Sequence, residues 1–146
     1  MDYKAQYIEE QGISDIEEIE AFEAEPYIEG SIFKGITDGQ EYLYYYEGLP
    51  GSQKEGTYAN GAYTGTVLDV EEGITYDIHK GEDYGYDKSF FIGIAYMEMK
   101  DVFYKGESIS FKTADVRLNQ KDVTLTIWLM PFENGKDISI SDFEYR

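Results

Sequence analysis

The stretch Val123-Thr124-Leu125-Thr126-Ile127-Trp128-Leu129-Met130 decides the fold class. Val123, Leu125, Ile127 and Leu129 alternate with Thr124, Thr126, Trp128 and Met130, the period of two that belongs to a β-strand. One face of this strand is aliphatic; the other begins polar and ends in Trp128 and Met130. Working outward, runs rich in tyrosine and β-branched residues recur at 41–47, 64–70, 74–79, 90–99, 102–104, 108–112, 115–118 and 137–143, broken by short segments containing Gly, Asp or Asn. Around Asn60-Gly61 the chain reads Thr57-Tyr58-Ala59 before and Ala62-Tyr63-Thr64 after. Asn-Gly suits a type I′ turn, because both central residues need positive φ, so a hairpin with Tyr58 facing Tyr63 is expected there.

Helical signals are confined to the N-terminal end. Ser14-Asp15-Ile16-Glu17 has the Ser-x-x-Glu spacing of a capping box, and predicts a helix to about Ala24, stopped by the restriction Pro26 places on Glu25. Ile13, Ile16, Ile19 and Phe22 are spaced by three, so their stripe drifts around such a helix. A shorter helix over residues 2–11, ended by Gly12, is the weaker signal. Many short strands at close spacing predict an α+β, mainly β chain: an antiparallel β-sandwich or barrel-like sheet with a short N-terminal helix. Its length of 146 residues fits a single domain, with 1–26 an acidic, partly helical segment and 27–146 the antiparallel β core.

Charge is the extreme feature. The chain carries 30 Asp+Glu against 12 Lys+Arg, a net charge of −18, yet it is 42% hydrophobic and too apolar for disorder. Residues 1–60 carry 14 acids and 3 lysines, whereas residues 100–146 carry 8 acids and 7 basic residues. Excess charge therefore gathers in the first two thirds, which predicts an acidic face rather than an evenly solubilised surface. Solubility or adaptation to high salt is the plainer explanation. High-salt proteins shed lysine, however, and ten of the twelve basic residues here are lysine.

Several function classes are excluded or disfavoured on residue chemistry. With no cysteine, the chain has no disulfide, no thiolate metal site and no cysteine nucleophile. His79 is the only histidine, beside a Lys-Gly turn where a general base is not expected. Nucleophile elbow, phosphate loop and dinucleotide fingerprint are all missing. Carboxylate pairs such as Glu71–Glu72 are too numerous to single out a glycosidase pair. Residues 81–87 lack the alternation of a calcium loop. No enzyme activity, cofactor or metal is expected. Direct binding to nucleic acid is not expected either, because phosphates demand Lys and Arg. The first eleven residues show no basic n-region followed by an apolar run, and no apolar run is long enough to span a bilayer. A soluble protein of the bacterial cytoplasm, without a membrane partner, is the expectation.

What remains is binding to a basic protein. A DNA-binding enzyme keeps a basic groove, and a folded acidic surface can occupy it, with carboxylates pairing with several Arg or Lys side chains at once. The candidate contact residues are Glu17, Glu18, Glu20, Glu23 and Glu25, then Glu71 and Glu72, then Glu82, Asp83 and Asp87, with Tyr84 and Tyr86 supplying aromatic contact area. The leading expectation is a DNA mimic, of the kind that phages and mobile elements direct against restriction or CRISPR nucleases. One alternative is an immunity protein or antitoxin against a basic toxin. The other is a ligand-binding β-sandwich or phage structural module, in which Tyr42–Tyr46, Tyr58, Tyr63 and Trp128 form an aromatic platform for sugars.

Overall fold

The computed structural model describes residues 3–24, 28–49, 62–84 and 87–146. Its elements, in order, are α1 (Tyr3–Gln11), β1 (Ser14–Ala24), β2 (Ile28–Thr37), β3 (Gln40–Leu49), β4 (Ala62–Leu68), β5 (Ile74–His79), β6 (Lys88–Ala95), β7 (Val102–Tyr104), β8 (Glu107–Ser108), β9 (Lys112–Leu118), β10 (Lys121–Glu133) and β11 (Phe143–Tyr145). Short 3₁₀ turns occupy Val70–Glu72, Gly81–Tyr84 and Ile140–Asp142. The fold is mainly β with one short N-terminal helix, as the alternation at 123–130 predicts. Three open sheets form, in the orders β1-β2-β3-β4, β5-β6-β10-β9 and β11-β7-β8, and none closes into a barrel.

Three hairpins share one local device. Asp38-Gly39 joins β2 to β3, Lys105-Gly106 joins β7 to β8, and Asn119-Gln120 joins β9 to β10. All six turn residues have positive φ, from +46° to +85°, which is the requirement of a type I′ turn. The Asn60-Gly61 hairpin lies outside the described residues up to Gly61. Beyond it, Tyr63 and Thr64 lie on β4, opposite Gly48 and Glu47 of β3.

The predicted helix over 14–24 is instead a strand. The full stretch Ser14–Ala24 pairs antiparallel with β2, and Asp15 takes a φ of +51° that no helix contains. In a helix Glu17, Glu20 and Glu23 would stack at spacings of three, like charge on like. As a strand, Glu17 sits opposite Lys34, and the ladder supplies the backbone partners. The weaker helix is the real one: α1 runs to Gln11, and Gly12 at φ +65° ends it. Ser139 and Asp142 form the capping box that the structure does contain, on a 3₁₀ turn where residues 137–143 read as a strand. Only β11, from Phe143, is extended. At the other misjudged ends, Val70 begins a 3₁₀ turn, 109–111 lie between strands, and β6 stops at Ala95 rather than at Met99. There Thr126 Oγ1 donates to the Met97 carbonyl (2.7 Å) and accepts from the Met99 amide (3.1 Å), turning the chain out of the sheet.

The chain clusters into two compact units: Met1–Asp69 with Arg117–Lys121, and Val70–Val116 with Asp122–Arg146. In the second unit β6 and β10 are central and buried on both faces. Leu125, Thr126, Ile127 and Trp128 are all nearly inaccessible, so the two-faced alternation reads correctly while the solvent-facing side it suggests does not exist. One face of this sheet carries Phe91, Ala95, Trp128 and Met130, which join Met99, Val102, Ile138 and Phe143 in one core. Phe143 of β11 lies 4.4 Å from the Phe91 ring and 5.9 Å from Trp128, so the small sheet is held by aromatic contact. Trp128 lies over Gly93, its cross-strand neighbour; a Cβ at that position would fall inside the indole. The glycine is there because the ring needs the space.

In the first unit, residues opposite one another across the ladders share a face. One face carries Ser31, Phe33, Tyr42, Tyr44 and Tyr46, and α1 covers it through Tyr7 with Ile13 at its end. Tyr7 lies 5.7 Å from Tyr46 and fills the space over Gly65, while Ile13 fills that over Gly35. The other face carries Ile32, Leu43 and Leu68, all buried, with Phe22 stacked on Tyr45 at 6.3 Å. Burial, reinforced by neighbouring Tyr44, pushes the Tyr7 phenol above its ordinary value of 10.0. Folding therefore favours the neutral phenol. That contribution is complete below pH 10 and is lost as pH rises through the folded value. Urea denaturation from pH 8 to 12 should show a stability gap between the parent and Tyr7→Phe that narrows above pH 10.

Candidate partner-binding site

Strand β1 lies at the edge of its sheet, and it places most of the first acidic cluster. Glu17, Glu18 and Glu23 are exposed and Glu20 is half-buried. The register slips between Ser14 and Glu17 and again between Glu18 and Glu20. Each slip is a bulge, a device that twists an edge away from unwanted strand pairing. The second slip also sets which way the acids point. Glu18 (opposite Phe33) and Glu23 (opposite Glu29) stand on the helix-covered face, whereas Glu17 (opposite Lys34) and Glu20 (opposite Ile32) stand on the other.

Two of these carboxylates already have cations. Lys4 of α1 lies 3.5 Å from Glu18 and 5.3 Å from the centre of the Phe33 ring. Lys34 lies 3.4 Å from Glu17 and 3.6 Å from Glu41, and donates to the Arg117 carbonyl at 3.0 Å. Glu41 in turn is clasped by Asn119: its carboxylate accepts from the Asn119 amide (3.1 Å), and the Asn119 side chain bonds both backbone groups of Glu41. Glu23 and Glu29 face each other across the ladder without an ion-pair partner among the described residues. Like charges directly opposite are destabilising, so this pair raises the energy of the edge.

A cleft of about 590 Å³ opens here. Lys4, Glu18, Glu23 and Glu29 line it with Ala21, Ser31 and Tyr46. Ser31 is 4% exposed, and its Oγ has no hydrogen-bond partner among the described residues. Ala21, Ser31 and Tyr46 lie in one row across β1, β2 and β3, and all three line the cleft. Sequence reading missed Glu29, Ser31 and Lys4. Naming Glu29 as the cross-strand neighbour of Glu23 takes the register of β1 on β2 as well as a strand assignment for 14–24.

The remaining candidates fall elsewhere. Glu71 and Glu72, in the 3₁₀ turn Val70–Glu72, and Glu82 and Asp87 are exposed in the second unit. Asp83 and Tyr84 belong to the 3₁₀ turn Gly81–Tyr84, while Glu25 and Tyr86 lie outside the described residues. The aromatic platform is overturned. Tyr44, Tyr45, Tyr46 and Trp128 are between 1% and 6% exposed and form cores, with Tyr42 half-buried beside them. Tyr45 uses its hydroxyl internally, donating to buried Glu47 at 2.9 Å. Neighbouring tyrosines do point to opposite sides of β3, but both sides are covered. Tyr58 lies outside the described residues.

Among the described residues no group of three His, Asp or Glu side chains is placed to hold a metal ion. Nor is any helix long and apolar enough to cross a membrane. Compared with protein-family models, with curated proteins and with solved structures, the chain matches none.

Proposed function

We propose that this protein is a non-catalytic acidic inhibitor that mimics the phosphate surface of DNA and occupies the basic groove of a nucleic-acid-binding enzyme, of the restriction or CRISPR nuclease class. The observation that carries this reading is the edge strand β1. It presents Glu17, Glu18, Glu20 and Glu23 within six residue steps, at most about 20 Å of extended chain. One strand of duplex DNA carries a phosphate about every 3.4 Å, so the four carboxylates reach roughly two thirds of that density, and roughly one third once the pairing of Glu17 with Lys34 and of Glu18 with Lys4 is counted. The bulges keep this edge from adding to another sheet, which leaves side-chain recognition as its way of binding. A net charge of −18 adds long-range steering toward a basic groove.

The test is capture of candidate nucleases on the immobilised protein across a salt series, with competing duplex DNA. Retention should fall steeply between about 50 and 500 mM salt, and DNA should displace the nuclease. Retention that ignores salt, or simultaneous binding of DNA and protein, would rule the mimic out.

A further inference from the structure

We infer that the cleft between β1 and β2 is a receptor for a guanidinium group, the side chain of an arginine on the basic partner. The inference rests on the reading above and names its most specific contact. Three features of the cleft converge on a planar cation with several donors. Glu23 and Glu29 face each other across the ladder, and neither forms an ion pair among the described residues. Among the described residues that line the cleft, Lys4 is set against Glu18, which leaves the carboxylates of Glu23 and Glu29. A guanidinium bonds carboxylates bidentately, and one inserted between Glu23 and Glu29 replaces their repulsion with two attractions.

Ser31 supplies the second, independent feature. A hydroxyl buried without a partner costs free energy and is rare in a folded chain. A serine oxygen lining an acidic cleft is an acceptor for a third N–H. Guanidinium has five donors and no acceptor, so the carboxylates of Glu23 and Glu29 and the Ser31 hydroxyl fit it, with Lys4 held apart against Glu18. Lys4 marks the chemistry already, since its own cation sits between a carboxylate and the Phe33 ring.

The experiment is a two-dimensional amide NMR titration of the full chain, at low salt, with N-acetyl-arginine amide and with N-acetyl-lysine amide. The arginine compound should give saturable shifts centred on Ala21, Glu23 and residues 29–31, with the lysine compound at least threefold weaker. Glu23→Gln combined with Glu29→Gln should weaken arginine binding at least tenfold. Ser31→Ala should weaken it about threefold while leaving the melting temperature unchanged or higher, a combination that a purely structural serine would not give. Equal responses to both compounds, shifts spread over every acidic segment, or indifference to these substitutions would overturn the inference. Nuclease capture separates the two proposals. If the Glu23→Gln/Glu29→Gln protein still captures a nuclease as tightly as the parent, the cleft assignment fails and the mimic stands. If the arginine compound binds as expected but no nuclease is captured competitively with DNA, the mimic fails and the cleft stands.

Discussion

Replacing Trp128 with alanine should lower the free energy of unfolding by about 3–5 kcal/mol, the range for removing a large aromatic side chain from a core. The ring is 1% exposed, lies over Gly93 and packs beside Phe143 and Tyr145 of β11, so its removal leaves a cavity in the core of the second unit. Urea denaturation monitored by far-UV circular dichroism checks this, with the midpoint falling at a similar m-value. Gly93→Ala approaches the same contact from the other side. Its new methyl would enter the space of the indole and should cost about 1–3 kcal/mol through overpacking. The double variant should lose less than the sum of the two, because removing the indole frees the room the methyl needs. A Trp128→Ala cost below about 1 kcal/mol, or strict additivity with Gly93→Ala, would mean that this ring does not organise the second unit.

Converting Glu17, Glu18, Glu20 and Glu23 together to glutamine should weaken binding to a basic partner by about 30- to 1000-fold. That range takes roughly 0.5–1 kcal/mol for each carboxylate set against a cation, near the upper end for exposed pairs. Folding should hardly change. Lys4 and Lys34 lose exposed ion pairs worth little, and the relief of crowding among acids acts in the opposite direction. A control set with the same change in charge, Glu98, Glu107, Glu133 and Glu144 to glutamine, lies in the second unit, and all four are exposed. The control should keep most of the affinity and most of its salt dependence. Titration calorimetry at several salt concentrations measures both, and equal losses in the two variants would reduce the role of β1 to a share of net charge.

The contrast between Val123–Met130 and Ser14–Ala24 shows where sequence reading works and where it stops. At 123–130 aliphatic residues recur at every second position from Val123 to Leu129, a period that fits a strand and not a helix, so local sequence and tertiary packing agree. At 14–24 a capping motif and apolar residues at spacings of three imitate a helix. The outcome was settled by β2, whose Lys34 meets Glu17 and whose backbone completes the ladder. Nothing within 14–24 announces that partner. The hairpins divide in the same way. Asp38-Gly39 and Lys105-Gly106 carry glycine where positive φ is needed, whereas Asn119-Gln120 does not, and is pinned by three hydrogen bonds between Asn119 and Glu41.

For the candidate site, composition alone located the acids but not their company. Glu18 and Glu23 were legible as acidic residues of one segment. That Glu29 opposes Glu23 depends on strand register, and that Ser31 lines the same cleft unpartnered depends on burial. The tyrosines taught the opposite lesson. Their abundance suggested a contact surface, yet α1 covers one side of β3 and burial extends to the other, so Tyr44, Tyr45 and Tyr46 became core.

By itself, then, the sequence determined a mainly β chain with a short N-terminal helix and an acidic first two thirds, because alternation, turn chemistry and charge are local properties carried by each residue. Tertiary structure alone decided that β1 is a strand, that its bulges split the acids between two faces, and that Glu23 and Glu29 line a cleft with Ser31. Those features arise from pairing between segments, and the free energy of a pair belongs to neither segment alone.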